Sequence, residues 1–491
     1  MKTFASAPNI LLNTDSYKVS HWQQYPPDCT GLFAYVEARG GTGEYPRLLF
    51  FGLQALLQEN LSHAITHTMI DEAKTLLTAH GLPFNEAGWR RIVDEFGGLL
   101  PLRIRAIKEG SVLPTKNAVI TIESTDPASF WLVSYIETWL LRVWYPSTVG
   151  TLSWTIKQLI QDFLAKTTDA AAAKIESKLH DFGARGTSSN ESAGLGGCAH
   201  LVNFNGTDTV QALLMAKLYY DEPLAGFSSP AAEHSTITGW GQEHEVDAYR
   251  NMIQKFSKPG SVFAVVSDSY NLWDAIKLWG TELKQEIINS GGTLVVRPDS
   301  GDPASIVLRT AVELEKLFGS TLNSKGYRVL NHVRIIQGDG VNRHTIREIL
   351  ANLALNGYST DNITFGIGGA LLQQLNRDTL GFAMKCSAIR IGDTWHDSFK
   401  NPITDPKKAS KKGRLGLFHT PASDEYRTVA IGYDNLPLEK LPGEWNDVLE
   451  TVYENGHFHQ RQSLAEIRER ANQTQGLPHA GRMGVNGFLL V

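Results

Sequence analysis

The sequence predicts an α/β protein: a parallel α/β barrel set into a mixed α+β domain that both ends of the chain build. Three observations carry this. Apolar, strand-like runs recur in the middle of the chain, each ending in a short polar loop and followed by a helix-like segment. The runs lack strict apolar/polar alternation, which is the pattern of parallel strands buried on both faces. The residues that stand just after them, Asp268, Asp299, Asp339 and then Gly369, are spaced by about 30 to 40 positions, close to one βα unit each.

Taken in order, residues 1–150 mix strand-like runs ("GLFAYVEARG", "LPLRIRAIKEG", "AVITIEST") with helices over 52–64 and 129–144. The barrel follows over 151–400. Its units begin with "KLHDFGARGTSS" (178–189) and "HLVNFNGTDTVQALLMAKLYY" (200–220). They continue with "SVFAVVSDSYN" (261–271), "GTLVVRPDSGDP", "HVRIIQGDGVN" (332–342) and "NITFGIGGA" (362–370). The run "FAMKCSAIRIGD" (382–393) is expected to close the series. Helices between the runs carry apolar residues three and four apart, as at Ile306, Leu308, Val312, Leu314 and Leu317. Residues 401–491 return to the mixed domain. There Asn455-Gly456 marks a tight hairpin, and Ser463 with Glu466 forms a capping box that opens a helix.

Bulk properties narrow the function. A chain of 491 residues with 42% hydrophobic and 20% charged residues is ordinary for a globular enzyme of two or three domains. A net charge of -5 gives no global field favouring nucleic acid or an anionic membrane. Cys29, Cys198 and Cys386 stand far apart, with no zinc spacing and no disulfide framework. No run of about 18 apolar residues suggests a membrane span, and the first residues carry no signal-peptide apolar core. A cytoplasmic protein is expected.

In a parallel α/β fold the loops leaving the strand C-termini build the ligand site. Those loops have two chemistries here. Arg185, Arg297, Arg377, Lys385 and the glycine turns "QGDG" and "GIGGA" suit anions. Asp208, Asp268, Asp299, Asp302 and Asp339 suit sugar hydroxyls or Mg²⁺ held through its waters. Together they suit a sugar phosphate. Plainer readings stand beside these. Asp268 and Asp302 could be helix N-caps, and Gly366, Gly368 and Gly369 could only shape a turn. His234 beside Glu233 could be structural. His457 and His459 read as surface residues, and Lys407, Lys408, Lys411, Lys412 and Arg414 as a solvated loop. "GLGGCAH" (194–200) precedes its strand, so it is no dinucleotide fingerprint.

Nine segments, taken in chain order, resemble the nicotinamide phosphoribosyltransferase family: "NTDSYKVSHWQQYPP", "KLHDFGARG", "NFNGTDTV", "PAAEHSTITGWG", "VVSDSYN", "RPDSGDP", "IQGDGV", "FGIGGALLQQLNRD" and "SKKGRL". The resemblance implies an irregular (β/α) barrel of the type II phosphoribosyltransferase kind and a homodimer with active sites at the subunit interface. It implies transfer of phosphoribosyl from 5-phosphoribosyl-1-pyrophosphate (PRPP) to nicotinamide in NAD salvage, with Mg²⁺ required. ATP hydrolysis would assist through a phosphohistidine at the position of His234. Phe182 and the partner subunit's Tyr17 would sandwich the pyridine, and Asp208 would accept the carboxamide N–H. Arg297 would hold the carboxamide oxygen or a phosphate, and Asp299 the ribose hydroxyls. Gly338, Asp339, Gly369 and Arg377 would bind ribose and its 5-phosphate. Arg185 and His234 would meet pyrophosphate or ATP phosphates, together with Arg39, Lys400 and Lys407 of the partner subunit; Lys385 belongs to the same phosphate-binding set. A nicotinate-specific enzyme and a non-catalytic signalling or binding protein on this fold are the alternatives, and Asp208 argues against the first. Ala184, Ser229, Ala264 and Ala383 depart from the expected pattern and bear on the shape of the tunnel beside the pyridine pocket.

Overall fold

The computed structural model describes residues 9–169, 172–404 and 408–473. Six parallel strands, Leu179–Asp181, Gly206–Thr207, Val262–Val266, Thr293–Arg297, Val333–Gln337 and Ile363–Ile367, make one curled sheet. In space the order is second, first, sixth, fifth, fourth, third. The first and last strands of that order do not pair with each other. The irregular segment 227–232 lies between them. Phe227 bridges to Gly206 on one edge and Ala231 to Ala264 on the other, both parallel. Thr207 N–H donates to the Phe227 carbonyl at 3.0 Å, and Ala264 N–H to the Pro230 carbonyl at 2.9 Å. Pro230 has no N–H to continue a ladder, so this stave stays irregular, and nothing in its composition reads as a strand.

Helices cover the outside of the sheet, and three of them begin at side-chain caps. Asn271 accepts the N–H groups of Trp273 and Asp274, and Asn342 with Thr345 forms a reciprocal capping box. Asp302 accepts the Ser305 N–H at 2.9 Å and starts the helix Pro303–Phe318. The cap reading is therefore correct for Asp302. It is not correct for Asp268, whose following helix is capped by Asn271.

The second sheet has seven strands in the order Thr394–Asp397, Phe382–Ile391, Cys29–Ala38, Ala118–Ser124, Leu102–Ala106, Glu450–Glu454 and His457–Phe458. Both ends of the chain build it. The run at 382–393 therefore does not close the barrel series. It pairs antiparallel with Cys29–Ala38, with Lys385 opposite Tyr35 and Met384 opposite Val36. Gly381, at φ 67°, turns the chain out of the helix Arg377–Leu380 and toward that partner. An apolar run carries its burial in its composition but not the identity of its neighbour, so only the folded chain separates this strand from the barrel strands before it.

The 24-residue helix Trp144–Thr167 spans residue 150 and is buried along most of its length. It packs on Asn190–Leu201 from the barrel and on Arg47–Leu49 from the mixed region, so one apolar core runs through both. The hairpin at Asn455-Gly456 forms as its sequence predicts, with φ 50° and 89° at the two residues. Ser463 and Glu466 cap each other across the start of Leu464–Gln473. Among the described residues no helix is long and apolar enough to cross a membrane.

Candidate active site

The C-terminal ends of the parallel strands open on a cavity of about 840 Å³. Phe182, Arg185, Asp208, Arg297, Asp299, Gly338, Asp339 and Gly369 all line it. Residues separated by up to 187 positions in the chain meet because parallel strands send every outgoing loop to one side.

One wall is aromatic. Phe182 N–H donates to the Ile367 carbonyl at 2.9 Å, which extends the sheet ladder by one bond. Its ring packs directly against Gly366, where a Cβ would come within 2.0 Å of a ring carbon. Below it, Ala264, Val295 and Ile336 make an apolar floor. A planar, weakly polar ring suits this slot. Beside it the N–H of Asp208 donates to the Asp181 carbonyl at 2.9 Å. Its carboxylate accepts the Ser228 hydroxyl at 2.5 Å and otherwise faces solvent.

The opposite wall is charged. Arg297 and Asp299 form an ion pair at 3.4 Å, and Arg297 Nε is buried without a hydrogen-bond partner. Asp268 organises the loop beneath them: one of its oxygens accepts the Asp299 N–H at 3.2 Å and the Ser300 hydroxyl at 2.6 Å. The other, Oδ1, is buried, makes no hydrogen bond and lies 3.9 Å from His234 Nε2. His234 Nε2 is also 3.5 Å from Asp299, and Nδ1 is 3.2 Å from the Ser269 hydroxyl. The neighbours of His234 are thus two carboxylates of the strand loops. Glu233 turns instead to Ser235. Gln337 donates to the Asp339 carbonyl at 2.8 Å and holds the "QGDG" turn against the mouth.

A second set of charges lies away from this cavity. Lys385 projects from the antiparallel sheet, and burial holds its ammonium below the ordinary lysine value. Arg39, Lys400 and Arg377 are close enough to push the same way, while Glu137 opposes them. Arg377 is therefore grouped with Arg39, Lys385 and Lys400, and none of the four lines the barrel cavity. Tyr17 is also absent from that cavity. It stands exposed on the 3-10 helix Ser16–Gln23, which Lys18 anchors through a 2.5 Å ion pair to Glu137. Lys407 lies outside the described residues. Lys411, Lys412 and Arg414 pair with Glu37, Asp397 and Glu123, so these three anchor the loop. His457 and His459 are exposed, and among the described residues no group of three or more His, Cys, Asp or Glu side chains is arranged to hold a metal.

Sequence reasoning missed two contributors. Ser228 belongs to the irregular stave, whose pairing no local pattern announces. Asp181 sits inside "HDFG", but only the fold reveals that its carboxyl is fully buried and pushed up to about 6 by that burial.

Residues 177–457 match the Nicotinate phosphoribosyltransferase (NAPRTase) family, and residues 9–104 match the Nicotinamide phosphoribosyltransferase, N-terminal domain. The chain is 55% identical over 465 residues to the nicotinamide phosphoribosyltransferase of Xanthomonas campestris pv. campestris, across 94% of this chain and 98% of that protein. It is 30% identical over 508 residues to the nicotinamide phosphoribosyltransferase of Acinetobacter baylyi, across 95% and 97%. Among solved structures, nicotinate-nucleotide pyrophosphorylase from Pyrococcus furiosus aligns with a TM-score of 0.61 at 17% identity, covering 96% of this chain and 98% of that one. Human nicotinic acid phosphoribosyltransferase aligns at 0.56 and 17%, covering 94% and 93%. At such identities the likeness is one of fold.

Proposed function

Because this chain belongs to the nicotinamide phosphoribosyltransferase family and is a pentosyltransferase, we propose that it transfers the phosphoribosyl group of PRPP to nicotinamide, releasing nicotinamide mononucleotide and pyrophosphate. The observation that carries this reading is the pairing, in one cavity, of an aromatic slot beside Asp208 with the Arg297–Asp299 pair across from it.

Nicotinamide stacks on Phe182 and donates its carboxamide N–H to Asp208. The carboxylate of nicotinate would be repelled there, which supports the amide as substrate. Asp299 accepts from the ribose hydroxyls, and the turns at Gly338-Asp339 and Gly369 bring backbone N–H groups to the 5-phosphate. The pyridine nitrogen lone pair forms the new bond to the anomeric carbon. The carbon–oxygen bond to pyrophosphate breaks and its electrons leave with the diphosphate. The ribosyl group passes through an oxocarbenium-like state, by analogy with glycoside cleavage. Asp299 stabilises its positive charge, and Arg297 and Arg185 the departing negative charge. No general base is needed, because the attacking nitrogen carries no proton.

The donor set fits Mg²⁺, which keeps several waters and is held by one or two carboxylates plus substrate phosphates. Asp299 and Asp339 would hold it at the mouth. When bound it neutralises charge on the diphosphate.

His234 is read as the phosphate acceptor for ATP. Its imidazole is half exposed and faces Asp268 and Asp299. His234→Ala is expected to abolish stimulation by ATP while leaving basal transfer measurable. Equal ATP stimulation of both proteins would remove His234 from this role.

The test of the substrate reading is turnover with nicotinamide and with nicotinate at equal concentration, in the presence of PRPP and Mg²⁺. Nicotinamide is expected to be preferred, and Asp208→Ala to weaken it by about 1–3 kcal/mol, seen as a rise in KM. Preference for nicotinate would overturn the assignment.

A further inference from the structure

Behind the aromatic wall, and used by no step above, lies the carboxyl group of Asp181. It ends the strand Leu179–Asp181 and is fully buried. Its Oδ1 accepts the Gly183 N–H at 2.7 Å, closing a short turn around Phe182. Phe182 N–H is already given to Ile367. The backbone on both sides of the ring is therefore pinned, and the ring is left facing Gly366 and the cavity. The main-chain carbonyl of Asp181 accepts the N–H of Asp208. One residue thus holds both groups proposed to meet the pyridine: Phe182 through its side chain and Asp208 through its carbonyl.

The surroundings are built to admit this carboxyl. Its Oδ2 is buried and turned toward the equally buried hydroxyl of Thr209, next in sequence to Asp208, near enough to draw on it but short of a well-formed hydrogen bond. The helix Asn190–Leu201 passes close by at Gly197, where a Cβ would stand 3.1 Å from Oδ2. Gly197 belongs to the "GLGGCAH" run that the reaction leaves unexplained. The titratable groups that face Asp181 are Asp208 and Tyr145. The Tyr145 hydroxyl donates instead to the carbonyls of Ser192 and Leu372 at 2.9 and 3.0 Å. A buried carboxyl held by so few donors is costly to keep, and packing alone would be served by an apolar residue.

We propose that Asp181 is a positioning residue for the pyridine pocket: its bond to Gly183 sets the Phe182 ring, and its carbonyl sets the distance from that ring to the Asp208 carboxylate. The inference rests on the reading of Phe182 and Asp208 as the pyridine site.

The test compares wild type, Asp181→Ala and Asp181→Asn by KM for nicotinamide, KM for PRPP, kcat and thermal midpoint. Alanine is expected to raise the nicotinamide KM about ten-fold, the size of one lost buried hydrogen bond, with the PRPP KM within two-fold. Asparagine keeps an oxygen for the Gly183 N–H and is expected to restore the nicotinamide KM to within about three-fold of wild type. If the alanine variant does not fold, Asp181→Leu, which keeps the branched shape but has no hydrogen-bonding side-chain atom, takes its place. The proposal is overturned if the nicotinamide KM of the alanine or leucine variant is unchanged, if both KM values rise together, or if asparagine fails to rescue. A wild-type protein that ignores nicotinamide would refute the substrate reading instead, and the same comparison would then be made with the pyridine base it does use.

Discussion

Arg297→Ala is expected to lower kcat/KM by about 10²–10³-fold, the effect of removing one preorganised donor from a developing negative charge. Three facts give Arg297 this weight. It ends a central strand of the barrel sheet, so its backbone is fixed. Its guanidinium reaches the cavity beside Asp299, and its buried Nε has no partner within the protein. Unpaired donors held in place before substrate arrives need no reorganisation at the transition state. The loss should fall mainly on kcat if Arg297 meets the leaving diphosphate, and mainly on the nicotinamide KM if it holds the carboxamide. Steady-state kinetics on the folded variant separate the two, and activity within three-fold of wild type would refute both. The same variant tests the shared site. Tyr17, Arg39, Arg377, Lys385 and Lys400 do not line the cavity of their own chain, and a site shared between two subunits would bring Tyr17, Arg39 and Lys400 to it. Arg297→Ala and Tyr17→Ala proteins, each weakly active alone, should regain activity when mixed and allowed to exchange subunits. A mixture no more active than its parts would refute a shared site.

Gly366→Ala is expected to raise the nicotinamide KM about ten-fold to a hundred-fold while the protein remains folded. The methyl group would sit 2.0 Å and 2.3 Å from two carbons of the Phe182 ring. The strand Ile363–Ile367 cannot retreat, because it is paired on both sides, to Val333–Gln337 and to Leu179–Asp181. The half-buried ring must move instead, and it can move only toward the cavity where the pyridine stacks. Overpacking of this kind costs about 1–3 kcal/mol, paid here in ligand affinity. An unchanged KM would show that the pyridine does not lie on Phe182.

Gly366 also shows how far the sequence could be read. "NITFGIGGA" announces a strand and a glycine break after it; the strand forms over Ile363–Ile367, and Gly368 leads into the short helix Gly369–Leu372. That Gly366 makes room for a ring 184 positions earlier in the chain is invisible to any local pattern. Asp302 and Asp268 make the same point in reverse. Both stand after strands, and both could be caps. One is a cap, and the other ties two loops together next to His234. The difference lies in which loop packs above each carboxylate.

The chain by itself determined what is local or periodic: the strand-then-helix units, their spacing, the caps at Asn342 and Ser463, the Asn455-Gly456 hairpin, and the clustering of arginine and aspartate after strands. Those features follow from hydrogen bonding and side-chain burial within a few residues, so composition and spacing carry them. Tertiary structure decided the rest: that Phe382–Ile391 joins the antiparallel sheet, that the proline-bearing segment 227–232 closes the barrel, and that Arg377 sides with Lys385 rather than with the cavity. Each of these depends on which distant surface a segment meets, and an apolar run or a charge has the same composition whichever neighbour it finds.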